Sequence, residues 1–111
     1  MALTPEGRIV AYAKKRLKEK GCLVRKMAYE GRRGAPDMLV LVPEYYWEDN
    51  DGGYGLPSRI IFIEFKRDET TEPEPHQLAE HRRMRAAGAD VRVIGSVAQV
   101  DALIEELFPN E

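Results

Sequence analysis

A chain of 111 residues with 43% apolar and 32% charged side chains reads as one soluble globular domain with a single core. No apolar run approaches the roughly 20 residues that a membrane span takes, and the amino-terminal stretch MALTPEGRIV lacks the basic-then-apolar pattern of an export signal. One cysteine, Cys22, excludes an internal disulfide and points to a reducing cytosol, with the thiol acting as a small buried hydrophobe.

The net charge of -2 does not by itself advertise a nucleic-acid binder, but its distribution is uneven. Residues 1–41 carry +6, residues 42–75 carry -6, and residues 76–111 carry -2. A basic face able to meet phosphates can coexist with an acidic one. From charge alone, a solvated helix surface accounts for the basic block equally well.

In chain order, Thr4-Pro5-Glu6 marks a helix start, with Thr4 as cap and Pro5 at the first helical position. Ile9, Val10, Ala13 and Leu17 then form an apolar stripe, and Gly21 stops a helix expected over residues 5–20. Cys22 to Tyr29 reads as a strand, followed by the basic loop Glu30-Gly-Arg-Arg-Gly34. Asp37 to Val42 is a second strand, apolar on both faces and so central. Residues 44–57 read as a long loop rich in turn residues, with four acids, four aromatics and no Lys or Arg. Arg59 to Lys66 is a third strand and residues 68–75 a polar loop. A helix from Pro75 to about Ala87, a strand over 90–95 and a final helix capped by Ser96 complete the order αβββαβα. The strands at 37–42 and 59–66 are expected to pair antiparallel, and 90–95 to add in parallel through the helix. The result is a mixed four-stranded sheet flanked by helices.

Some charges are not explained by this fold. Side chains alternate along a strand, so Ile60, Phe62, Glu64 and Lys66 share one face that begins apolar and ends charged. A register that sets residue 39 near residue 63 places Asp37 opposite residue 65, close to both Glu64 and Lys66. Two accounts stay open: a half-buried ion pair with Asp37 as a turn residue, or a placed chemical set. Two neighbouring carboxylates repel unless a cation lies between them, and carboxylates with a carbonyl and water are the ligands of Mg²⁺ or Mn²⁺. Glu6 lies on the apolar side of the first helix, which suits either the helix N-terminus or a third acid at the same place. His76 and His81 are five residues apart, a poor spacing for one helical metal site.

Pro36-Asp37 followed by Glu64-Phe65-Lys66 resembles the PD-(D/E)xK signature of restriction-endonuclease-like nucleases, whose core has the order αβββαβα. GAPD with its apolar strand, IEFK, and Gln77 in the next helix resemble the VRR-NUC family most closely, in particular its small stand-alone phage and bacterial members that are similar to Holliday junction resolvases. The resemblance implies that Asp37, Glu64 and the backbone carbonyl of Phe65 bind Mg²⁺ or Mn²⁺. It also implies that Lys66 orients or deprotonates the attacking water, that Glu6 is the helical acid near the metal, and that Gln77 supports the site. A surface role for Gln77 in the first helical turn is the plain alternative.

Lys14, Lys15, Lys18, Arg32, Arg33, Arg67 and Arg82 are candidate phosphate contacts, with Arg32-Arg33 best placed before Asp37. A chain this short leaves no room for a separate reading domain, so recognition of DNA shape, such as a branch, is expected over recognition of sequence. Symmetric cutting of a junction needs two sites and hence a homodimer. Tyr45, Tyr46, Trp47 and Tyr54 are candidates for that interface, or else cover the domain's own core edge. The expected protein is a cytoplasmic, bacterial or phage-encoded DNA endonuclease without an organic cofactor. A nuclease of the same fold acting on flaps or ends, and a non-catalytic DNA-binding module, are the alternatives.

Overall fold

The computed structural model describes residues 3–110; Met1 and Ala2 of the amino-terminal stretch, and Glu111, lie outside the described residues. Helix α1 spans Pro5–Glu19. The Thr4 hydroxyl accepts from the Gly7 N–H at 3.0 Å, satisfying one of the free N–H groups of the first turn. Ile9, Ala13 and Leu17 are its buried stripe. Strands β1 (Leu23–Lys26), β2 (Met38–Val42), β5 (Arg59–Phe65) and β6 (Asp90–Ile94) form one sheet in the order β1-β2-β5-β6. Helix α2 (Pro75–Ala86) makes the crossover from β5 to β6, which pair in parallel, and α3 (Val97–Leu107) closes the chain.

The helices and β6 fall within a residue or so of expectation, whereas β1 is shorter, four residues rather than eight. It pairs only with β2, and after Lys26 a single ladder bond remains, from the Met27 N–H to the Asp37 carbonyl at 3.0 Å. The β2–β5 register also differs by one: Met38 faces Ile63 and Leu39 faces Phe62. Burial dictates this register. Met38, Val40 and Val42 must share a face with Ile61, Ile63 and Phe65, and a one-residue slip would have put Glu64 in that core.

Those six side chains pack against α1 and α3 through Ile9, Leu17, Val100, Leu103 and Leu107, with Cys22 buried among them. Burial pushes the Cys22 thiol up to about 11, so it stays neutral. The opposite sheet face is only partly covered. Leu23, Leu41 and Ile60 are cross-strand neighbours in one row, and all three are exposed.

The segment read as a loop is instead a β-hairpin, β3 (Tyr45–Asp49) and β4 (Gly52–Leu56). Asn50-Asp51 turns the chain, with the Asp49 carboxylate accepting from the Asp51 N–H at 2.8 Å. Tyr45, Trp47 and Tyr54 stack in a ladder along one face, with Tyr45 edge-on to Phe108 and its hydroxyl donating to the Pro109 carbonyl. Tyr46 lies across the other face over Gly53, where a Cβ would clash with its hydroxyl. Two of the four aromatics proposed as interface residues, Tyr45 and Trp47, are thus half-buried parts of the hairpin's own packing, while Tyr46 and Tyr54 remain exposed.

Candidate active site

The end of β5 and the start of β2 bring four of the expected residues into one hydrogen-bonded cluster. Asp37 Oδ2 accepts from the Phe65 N–H at 2.7 Å. Because the Lys66 N–H bonds the Ile94 carbonyl on the β6 side, the N–H and C=O of Phe65 both project the other way, toward β2 and Asp37. Glu64 is 2% exposed and stands on the α2 side of the sheet. Its Oε2 accepts from Gln77 Nε2 at 2.9 Å and lies 3.2 Å from Lys66 Nζ.

Gln77 owes its orientation to helix capping. Its Oε1 accepts from the Glu74 N–H at 2.9 Å, reaching back as the third residue of α2. The carbonyl end is therefore committed, and it also accepts from Lys66 Nζ at 3.0 Å. The amide NH₂ is left to face Glu64. One side chain thus ties a helix start, a lysine and a buried carboxylate together, a double role that a first-turn polar residue does not announce.

The Glu64 carboxyl is pushed up to about 7, first by burial and then by the charge of Asp37, against the opposing pull of Lys66 and Gln77. Its second oxygen, Oε1, is buried without a hydrogen bond. The nearest ionisable neighbour on that side is His81 Nε2 at 3.9 Å. His81 is fully buried, and burial, aided by the charges of Arg85 and Lys66, lowers its pKa, so the ring is neutral.

Glu6 is exposed on α1 and lines a pocket of about 250 Å³ together with Asp37, Phe65, Lys14 and Lys26. Among the described residues no three His, Cys, Asp or Glu side chains converge into a ready metal cage. A cation here would rely on the two carboxylates, the Phe65 carbonyl and water. That oxygen set suits Mg²⁺ or Mn²⁺, which keep several waters, and a buried carboxylate with one oxygen short of a partner fits a ligand role.

The candidate phosphate contacts are dispersed. Lys14 lines the pocket beside Asp37, and Lys15, Lys18, Arg33 and Arg82 stand exposed. Arg67 is engaged with Thr71 and Asp68. Arg32 is held by Glu80 at 2.9 Å and lies over the Tyr29 ring. Glu80 also accepts from the Tyr29 hydroxyl at 2.8 Å and from Arg83, interactions that hold its carboxyl below the usual range. This knot pins the basic loop to α2. Gly34, at φ +100°, comes so close that a Cβ would sit 3.2 Å from both Glu80 Cβ and the His76 carbonyl. Gly34→Ala is expected to cost about 2 kcal/mol, or roughly 10 °C in Tm, by the left-handed strain and the lost approach. An unchanged thermal melt would mean that the loop does not rest on α2 in solution.

Tyr29, Glu80, His81 and Lys26 were missed in the sequence reading. A signal existed for His81, four residues after Gln77 and so on the same face of α2. Glu80 carries no comparable mark, because its partners Tyr29 and Arg32 are about fifty residues away.

A mixed four-stranded sheet between helices, with two carboxylates and a lysine gathered where its central strands end, is the architecture of restriction-endonuclease-like nucleases. Comparison with known proteins narrows the class. A solved structure described as a VRR_NUC domain superposes with a TM-score of 0.77 at 51% identity, over 93% of this chain and 97% of that one. The protein described as "Putative nuclease p44", from Acyrthosiphon pisum secondary endosymbiont phage 1, is 33% identical over 96 residues, which cover 86% of this chain and 88% of that protein. No protein-family model matches. The chain belongs to the VRR-NUC family of nucleases.

Proposed function

We propose that the protein is a divalent-cation-dependent DNA endonuclease, selective for DNA structure, that cuts four-way junctions as a homodimer. The observation that carries the chemistry is the buried Glu64 carboxylate, with one oxygen clamped by Gln77 and Lys66 and the other without a hydrogen bond, beside Asp37. Desolvating a carboxylate in this way is costly, and a cation ligated by the carboxylate offsets that cost. Asp37, Glu64 and the Phe65 carbonyl would hold Mg²⁺ or Mn²⁺, and Glu6 could reach the same pocket through bound water. The bound ion would supply Lewis-acid polarisation of the phosphate and a lower pKa for a ligated water.

The chain's own residues do the rest. Gln77 fixes the plane of Glu64 and the direction of Lys66. Lys66, 13% exposed, keeps its ammonium at the site mouth, where it orients the attacking water and faces the phosphate. Lys14 and Lys26 beside Asp37, with Arg33 in the adjoining loop, would position the DNA backbone without reading bases. The β3–β4 ribbon carries Glu48, Asp49 and Asp51 and no Lys or Arg, so phosphates would repel it from a groove, which favours recognition by shape. No helix among the described residues is long and apolar enough to cross a membrane. A nuclease acting on DNA would work in the cytoplasm of the host cell.

A panel of four-way junction, flap, linear and single-stranded DNAs, each with Mg²⁺, Mn²⁺, Ca²⁺ or excess chelator, tests this reading. Symmetric nicks across the junction with Mg²⁺ or Mn²⁺, and none with chelator, are expected. Preferred cutting of flaps or ends would replace the substrate assignment, binding without cleavage would make the protein a DNA-binding module, and cleavage in chelator would exclude the cation.

The homodimer is favoured by the exposed apolar row of Leu23, Leu41 and Ile60, which a polar DNA backbone would not cover. A second copy related by a twofold axis would use that row twice. Ile60→Glu is expected to convert a sedimenting dimer to a folded monomer that nicks only one strand at a time. A wild-type monomer at micromolar concentration would refute the assembly.

A further inference from the structure

Helix α2 reaches Glu64 twice. Gln77 binds one carboxylate oxygen, and His81, one turn later on the same helix face, points Nε2 at the other from 3.9 Å. The position lies between Leu78 and Val93 on one side and Arg85, Gln99 and the Asp68–Glu72 loop on the other, yet it is closed to solvent. Here it holds a histidine that is 0% exposed, with neither ring nitrogen hydrogen-bonded, facing a carboxylate oxygen that also lacks a bond. A buried polar group without a partner is costly to a fold, and three such atoms meet at this point. A movement of roughly 1 Å would bring the two atoms into hydrogen-bonding range.

We propose that His81 is a positioning residue for Glu64: its Nε2–H takes Oε1 when the carboxylate turns to ligate a divalent cation, so that α2 holds both oxygens and fixes the plane of the ligand. The proposal rests on the cation reading of the site. Outer partners of this kind orient ligands before the ion arrives, and their loss weakens binding by roughly 10–100-fold.

Chemistry at position 81 separates this role from simple core filling. Mn²⁺ affinity would be measured by electron paramagnetic resonance on metal-free protein, without DNA, alongside thermal melts. His81→Leu fills the space but donates nothing. His81→Gln places an amide N–H near the position of Nε2, whereas His81→Asn places it near Nδ1. We expect His81→Leu to melt at or above the wild-type temperature yet bind Mn²⁺ about tenfold or more weakly. His81→Gln should recover most of the affinity and His81→Asn should not, a contrast that stands even if the leucine variant fails to fold. Equal Mn²⁺ affinity in wild type, His81→Gln and His81→Asn would overturn the role and leave His81 as core. No Mn²⁺ binding by the wild type, with cleavage intact in chelator, would overturn the cation reading itself and this role with it.

Discussion

Lys66→Ala is expected to lower phosphodiester cleavage by roughly 10³-fold or more, with junction binding changed by no more than a few fold. Two losses combine in this variant. The ammonium that faces the phosphate disappears, and so does the positive charge that pulls the Glu64 carboxyl down against burial and Asp37. Glu64 then ionises less readily, and its hold on a cation weakens at neutral pH. Asp37→Ala should be as severe for another reason. It removes one of the two carboxylates and leaves the Phe65 N–H, now bonded at 2.7 Å, without a partner. The two variants should part as pH rises: Lys66→Ala should regain some Mn²⁺ affinity at pH 8.5–9, where Glu64 is ionised without help, whereas Asp37→Ala should not. Single-turnover cleavage and Mn²⁺ binding on the same preparations read both effects. Wild-type rates from either variant would remove these residues from the mechanism.

The reason this site was legible in the sequence is that its parts are local to strand ends. Asp37 follows a proline at the mouth of a central strand, and Glu64 and Lys66 share a face by alternation alone. The fold's order followed from the caps Thr4 and Ser96, from Pro75 opening a helix, and from apolar runs at 38–42 and 59–65. The hairpin at 45–56 was missed because three glycines and three acids read as a loop. What makes it a ribbon is cross-strand packing, Tyr46 over glycine and the ladder of Tyr45, Trp47 and Tyr54, anchored on Phe108 from the far end of the chain. The register slip has the same origin. Pattern places Glu64 and Asp37 near each other, but only the requirement that Met38 join Ile63 in the core decides which residues face. Glu80 and Tyr29 could not be read at all, since their meaning comes from a loop folding back on α2.

Glu64→Gln should abolish cleavage and, in chelator at neutral pH, raise stability. The Glu64 carboxyl moves from its ordinary value of 4.5 in the unfolded chain to about 7 in the folded one. Below pH 4.5 both states are protonated and the group has no effect on stability. As pH rises, the unfolded chain ionises first while the folded protein resists. Wild-type stability should therefore fall between about pH 4.5 and 7 and level off above, by about 3 kcal/mol, which corresponds to roughly 10–20 °C in Tm. Glutamine is neutral throughout, keeps an acceptor for Gln77 and Lys66, and should lose this slope. The difference between the wild-type and variant melts, taken across pH in chelator, isolates Glu64 from every other titrating group. Added Mg²⁺ should restore wild-type stability at pH 7.5 in proportion to its affinity and leave the variant unmoved. Parallel pH profiles for the two proteins would mean that Glu64 is not held against its charge. The penalty matters to function because it is the same free energy that a cation recovers on binding: a carboxylate comfortable in water has less to gain from Mg²⁺ than one that the sheet and α2 have already stripped of solvent.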